Sequence, residues 1–229
     1  MTKRAWITCL AALAVCSEAG AITFTNAQFD VTAIAVTSGP AGFDSQSSPP
    51  SATPVSASAD SLGGADIATA GAIAGPGLLT SSADVSGGGG GAINAVATSH
   101  FTGSFVSSAA EPYLVIGFTP LGFAVGSGLA ATSLFVSLTS GGTTLFQGFI
   151  DGSSWTYNLA PGTAGLLDLT LSSEVSAGFP AQGVGNASSF GQATITSAVP
   201  LPAPWLLLLV GMGPLAARRA RAKRFRQVA

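Results

Sequence analysis

The stretch Ser133-Leu134-Phe135-Val136-Ser137-Leu138, Ser140-Gly141-Gly142, Thr144-Leu145-Phe146-Gln147-Gly148-Phe149-Ile150, Asp151-Gly152, Ser154-Trp155-Thr156-Tyr157-Asn158-Leu159 decides the fold class. Its apolar runs are short, rich in β-branched and aromatic residues, and separated by glycine-bearing turns, so it reads as strands joined in an antiparallel meander. Working outward, Ile22 to Asn26, Phe29 to Val36, Tyr113 to Phe118, Leu166 to Leu171 and Ala193 to Ala198 have the same character, with Pro and Gly between them. Regularly spaced short strands predict an all-β, antiparallel β-sandwich-like body over residues 22–198.

Residues 39–92 differ, being built mainly of Ser, Ala, Gly, Thr and Pro with Phe43 as the only aromatic. The run Ser45-Gln46-Ser47-Ser48-Pro49-Pro50 and the glycines Gly87 to Gly91 suit a flexible segment. Val55-Ser56-Ala57-Ser58-Ala59-Asp60 alternates small apolar with polar residues, and Ala92 to Phe105 resumes a strand-like pattern. The favoured reading is therefore small-residue strands with one mobile glycine loop.

Charge is distributed very unevenly. Only 8% of residues are charged, against about 25% in ordinary soluble domains. All eight Lys and Arg lie at the ends: Lys3 and Arg4 at one, and Arg218, Arg219, Arg221, Lys223, Arg224 and Arg226 at the other. Nine acids lie between Ile22 and Ala203 with no Lys or Arg among them, so that span carries a charge near −9. A body without cations cannot neutralise phosphates, which excludes nucleic acid as its partner. The same absence removes Schiff-base lysines, Walker-type loops and arginine clamps.

The N-terminus has the order of an export signal. Lys3-Arg4 precedes the apolar run Ala5 to Cys16, and small residues follow, which predicts a signal peptide over residues 1–21 read by Sec-type export machinery and signal peptidase. Cleavage falls after Ala21, with Ala19 as the alternative. Val15 precedes Cys16 where a lipoprotein signal has a small residue, so acylation is not expected. Removing residues 1–21 removes both cysteines.

The C-terminus carries a second membrane signal. Val199-Pro200-Leu201-Pro202-Ala203 is followed by an uncharged apolar run, Trp205 to Ala217, and then by the basic tail 218–229. Thirteen residues of helix span about 20 Å, short for a hydrocarbon core of about 30 Å. Starting at Val199 gives 19 residues, and the arginines can snorkel, so a single transmembrane helix over about 204–217 is expected. The positive-inside rule places both basic ends in the cytoplasm and the body outside.

This tripartite order resembles the PEP-CTERM family of bacterial sorting signals, in the variant whose motif reads Val-Pro-Leu-Pro-Ala. The resemblance covers Val199 to Ala229 together with the signal peptide; the motif matches residue for residue and Arg218-Arg219 match the basic stop. The chain departs in having Pro204 directly after the motif and Pro214 inside the apolar run. The resemblance implies export across the inner membrane of a Gram-negative-type bacterium and transient anchoring there. An exosortase, a membrane-embedded cysteine transpeptidase-like protease, would then remove the tail, leaving the product at the cell surface or in extracellular polymer. The chain would be the substrate and contribute no catalytic residue.

The residues that could carry chemistry point the same way. Ser99-His100 lacks a nucleophile elbow, and adjacency in the chain is not geometry. Glu111, Asp151, Asp168 and Glu174 could supply the carboxylate pair of a glycosidase, but Asp151-Gly152 is already explained as a turn. The scattered acids suit calcium better than zinc, although no Asp-x-Asp-x-Asp-Gly loop exists. Gly126-x-Gly128 and Gly183-x-Gly185 lack a βαβ context, and Asn186-Ala187-Ser188 is a glycosylation sequon of a kind common by chance. Neither a catalytic, cofactor nor metal site is assigned. The expectation is a non-enzymatic surface or matrix protein associated with exopolysaccharide or biofilm. The alternative is a carbohydrate-binding module or carboxylate glycosidase with a permanent membrane anchor, in which Trp155 and Tyr157, at i and i+2, form a stacking platform.

Overall fold

A computed structural model describes residues 22, 24–38, 42–87, 91–108, 113–126, 128–178 and 185–198. The signal peptide with Ala19 and Ala21, the motif Val199 to Ala203, the predicted transmembrane helix and the basic tail lie outside the described residues, as do Glu111 and Gly183.

Twelve strands follow in order: β1 (Phe24–Val36), β2 (Phe43–Ser51), β3 (Val55–Gly63), β4 (Asp66–Gly75), β5 (Leu78–Gly87), β6 (Ala92–Val106), β7 (Tyr113–Val125), β8 (Gly128–Ser140), β9 (Thr143–Phe149), β10 (Ser154–Asn158), β11 (Ala164–Gly178) and β12 (Gly185–Ala198). They form two six-stranded sheets, β2-β1-β6-β11-β8-β9 (sheet A) and β10-β7-β12-β5-β4-β3 (sheet B). Every neighbouring pair is antiparallel. The all-β, antiparallel sandwich expected from the sequence is thus the observed architecture.

Three local readings change. The expected meander holds for β8 and β9, which pair through the Gly141-Gly142 turn, both glycines in the left-handed region. β10 does not continue it: Asp151-Gly152 lies in a crossover, and β10 pairs with β7 in sheet B. A short turn permits a hairpin but does not require one, because the inward faces of β9 and β10 close one edge of the sandwich from opposite sheets. Secondly, Ile22 to Asn26 and Phe29 to Val36 are not two strands. β1 is continuous from Phe24 and slips register against β6 between Thr25 and Gln28, where Asn26 takes φ 52°, a conformation asparagine tolerates well. Thirdly, Ser45 to Pro50 is part of β2, a sheet-edge strand, where prolines lacking an N–H are tolerated; its register slips opposite Phe29 to Val31.

Residues 43–87 are four strands, and their composition sets the spacing of the sheets. Ala68, Ala70, Ala72 and Ala74 of β4 face inward with Ala33, Ala35, Ala95 and Ala97 of sheet A, all buried. Small side chains let the sheets approach closely enough for hydroxyls to bridge them. Ser81 and Ser173 share a hydrogen bond of 2.7 Å, Ser99 Oγ donates to the Thr80 carbonyl at 2.5 Å, and Thr132 and Ser189 meet at 2.6 Å. Thr37 and Ser61 form a fourth bridge at 3.1 Å. A buried hydroxyl without a partner costs roughly 1–3 kcal/mol, so each bridge satisfies two groups that the serine-rich sequence places in the core. Elsewhere bulky residues face glycine or serine: Leu171 packs where Gly191 has no side chain. At one end Phe24 meets Phe101 edge-on at 5.2 Å and Phe29 lies 5.5 Å from Phe101.

Chain order and sheet order diverge in one respect that matters for assembly. β11 and β12, the last strands made, occupy central positions in sheets A and B. Without β12, sheet B separates into β10-β7 and β5-β4-β3. The final central strand ends at Ala198, directly before Val199.

Candidate functional site

Strand alternation separates Ser99 from His100. Ser99 points into the core, fully buried, while His100 projects from the outer face of sheet A. The two therefore cannot act as nucleophile and base. His100 instead lies between carboxylates supplied by the flanking strands. Asp30 is its direct cross-strand partner on β1, and Asp168 on β11 is diagonal to it, opposite Thr102. His100 Nδ1 is 2.5 Å from Asp30 Oδ1 and Nε2 is 3.2 Å from Asp168 Oδ1. The hydrogen bond to Asp168 is the largest influence on the imidazole, lifting its pKa; burial pulls the other way, and the Asp30 hydrogen bond with the charges of both carboxylates carries it up to about 9.

At neutral pH this is an imidazolium donating from both nitrogens. It has no lone pair left to abstract a proton or to ligate a metal. It is also the only cationic side chain among the described residues, since every Lys and Arg lies outside them. The arrangement holds β1, β6 and β11 together on the solvent side and relieves carboxylate repulsion in an otherwise acid-only body. The sequence singled out His100 and Asp168; it missed Asp30, because pairing 70 positions apart is set by sheet register alone.

Among the described residues, the other carboxylates do not join this cluster. Glu174 is exposed on β11, six residues from Asp168 along the strand, or about 20 Å at 3.3–3.4 Å per residue. A glycosidase pair needs about 5–9.5 Å. Asp151 is exposed in the β9–β10 crossover. Asp44 links two edge strands: Oδ1 accepts from the Ser45 N–H at 2.8 Å and Oδ2 from the Asp60 N–H at 2.9 Å, so β2 caps a donor on the free edge of β3. Among the described residues no group of three or more His, Cys, Asp or Glu side chains is placed to hold a metal ion.

Trp155 and Tyr157 share a face of β10, as their spacing predicts, and their rings stack at 5.6 Å. That face is directed inward. Both side chains are partly buried against the core, and Phe146 of β9 lies 4.7 Å from Trp155. They pack at the edge where the outermost strands of the two sheets meet. Gly126, part of the weak glycine pattern, serves a left-handed turn between β7 and β8 (φ 79°).

The outer side of sheet B carries two recesses. Gly71, on the middle of β4, leaves a recess of about 480 Å³ between Ile73, Ser82 and Phe190. A smaller hollow of about 220 Å³ lies beside Asp84, Asn186 and Phe123. Sequence reading missed both, since they depend on which residues of four strands share a face. Compared with models of protein families, with curated proteins and with solved structures, the chain matches none.

Proposed function

We propose that this chain is an exported, non-enzymatic surface or extracellular-matrix protein, sorted through its Val199 to Ala203 motif and cut there by an exosortase-type protease. The observation that carries the reading is the order of the C-terminal residues: sorting motif, apolar run, arginine cluster, with the motif beginning one residue after the last central strand. An N-terminal segment with the order of a signal peptide supplies the export step such a tail requires. The body suits such a destination. No cysteine lies among its described residues, and its one imidazole is committed to two carboxylates. The abundant outward Ser and Thr of sheet A suit a hydrated polymer.

On this reading the inner membrane, signal peptidase and the exosortase are transient partners, and extracellular polysaccharide is the lasting surrounding. Intact-mass measurement of the cell-surface form tests it. The expected masses begin at Ile22 and end at or near Val199 to Ala203. A C-terminus still at Ala229 overturns the processing step and makes the tail a permanent anchor.

A further inference from the structure

Glycine weakens a strand interior, and where it stands there it marks a bulge, a bend or the close approach of a ligand or another backbone. At Gly103, Gly165 and Gly191 the cause is packing, because a Cβ would meet Phe101, Phe105 and Thr132 at 2.7, 2.7 and 2.6 Å. Gly71 is different. It holds an outward position in the middle of β4, between the buried Ala70 and Ala72, and a Cβ there would meet one atom, Ser82 Oγ, at 3.2 Å. The recess of about 480 Å³ above it falls within the roughly 300–1,000 Å³ of small-ligand sites. Register lays out its floor: Ser58, Gly71, Ser82 and Phe190 are successive cross-strand partners, a row of about 14 Å. Ile73 walls the recess along β4, and Gln46 adds a side-chain amide from β2. Among the described residues that line it none is ionisable. Asp60 and Asp84 stand one outward position further along β3 and β5.

We propose that this recess binds an uncharged sugar chain, with Phe190 against the C–H face of a pyranose ring and Gln46, Ser58 and Ser82 meeting its hydroxyls. The lining selects that chemistry. Without a charged side chain it offers no counter-ion to an ionic ligand, and a body with nine acids and no Lys or Arg repels polyanions. Its hydroxyls and amide both donate and accept, as ring hydroxyls do. Among the described residues Gln46 and Ser58 make no side-chain hydrogen bond that a ligand must displace, and Ser82 Oγ gives only a long contact of 3.4 Å to the Gly71 carbonyl. Phe190 and Ile73 supply the apolar wall that the ring face needs, and Asp60 and Asp84 accept from hydroxyls further along the chain. The bare backbone of Gly71 lets the ring reach the floor. This deepens the matrix reading by naming its polymer as uncharged, and it rests on that reading only for where the polymer is met.

The test uses the full chain, purified in a polyoxyethylene detergent that carries no sugar headgroup. It is titrated with fluorescently labelled neutral oligosaccharides of glucose, mannose, galactose, xylose and N-acetylglucosamine, with oligo-uronates as charged comparators. At least one neutral probe is expected to bind saturably, about tenfold or more tightly than any uronate. Gly71→Val puts a branched side chain on the floor and should weaken that binding about tenfold or more. It should not lower the melting temperature, because β-branched residues favour strands. Phe190→Ala should weaken binding to a similar degree, whereas Phe149→Ala, on the exposed outer side of sheet A, should leave it unchanged. Binding kept in both Gly71→Val and Phe190→Ala, equal loss in Phe149→Ala, preference for a uronate, or no saturable binding of any neutral probe overturns the proposal. A chain still ending at Ala229 bears on the processing step alone, so the two readings fail separately.

Discussion

His100 offers the sharpest test of the structure, because the chain contains a single histidine and a proton NMR titration reports one imidazole. With its pKa raised from 6.5 to about 9, linkage at 1.36 kcal/mol per unit sets a ceiling of about 3.4 kcal/mol on the stability the protonated ring contributes. His100, Asp30 and Asp168 are about one-quarter to one-third exposed, and solvent screening reduces the expected share to roughly 1–2 kcal/mol. The folded pKa lies above the unfolded one. The stabilisation is therefore complete below about pH 6.5 and is lost as pH rises through about 9. Urea unfolding from pH 6 to 9.5 should show the midpoint falling across that window, and His100→Gln should lower stability at pH 6 and flatten the dependence. An imidazole midpoint near or below 6.5, or an unchanged slope in His100→Gln, refutes the clamp.

Other expectations concern the thin core and the strand order. Ser173→Ala leaves Ser81 without its buried partner and should cost about 1–2 kcal/mol by chemical denaturation, while Ser81→Ala with Ser173→Ala together should cost less than the sum of the two single changes. Gly191→Val introduces a Cβ within 2.6 Å of Thr132 Cγ2 and 2.9 Å of Leu171 Cδ1, so overpacking should lower stability by about 1–3 kcal/mol; an unchanged melting temperature would show that the sheets separate easily there. Ending the chain before Gly185 divides sheet B in two and should abolish the cooperative unfolding transition, whereas removing residues 199–229 should leave it intact.

Strand identity was legible where the sequence was emphatic. Ser133 to Leu138 is a short apolar run suited to a strand, and Gly141-Gly142, both in the left-handed region, turns the chain back within two residues. The small-residue span 43–87 was legible only in part. Alanine and serine carry little strand propensity of their own, and their alternation specifies a face without saying what lies opposite. The Trp155/Tyr157 pair illustrates the same limit: spacing fixed that the two rings share a face, but not that the face turns toward Phe146. Asp30 could not be connected with His100 from sequence, because nothing local marks residues 70 positions apart as partners.

Sequence by itself determined the local and linear properties of this protein: an all-β body, cations confined to the two ends, and the order of motif, apolar run and arginines at the C-terminal one. These follow from period-two patterning, turn chemistry and charge counting, all of which act over a few residues. Only the tertiary structure decided that β11 and β12 complete the sheets from the middle, that hydroxyls bridge a core of alanines, and that Asp30 and Asp168 clamp His100. Each of these depends on register and on which sheet a strand joins, and those are settled by packing between segments far apart in the chain.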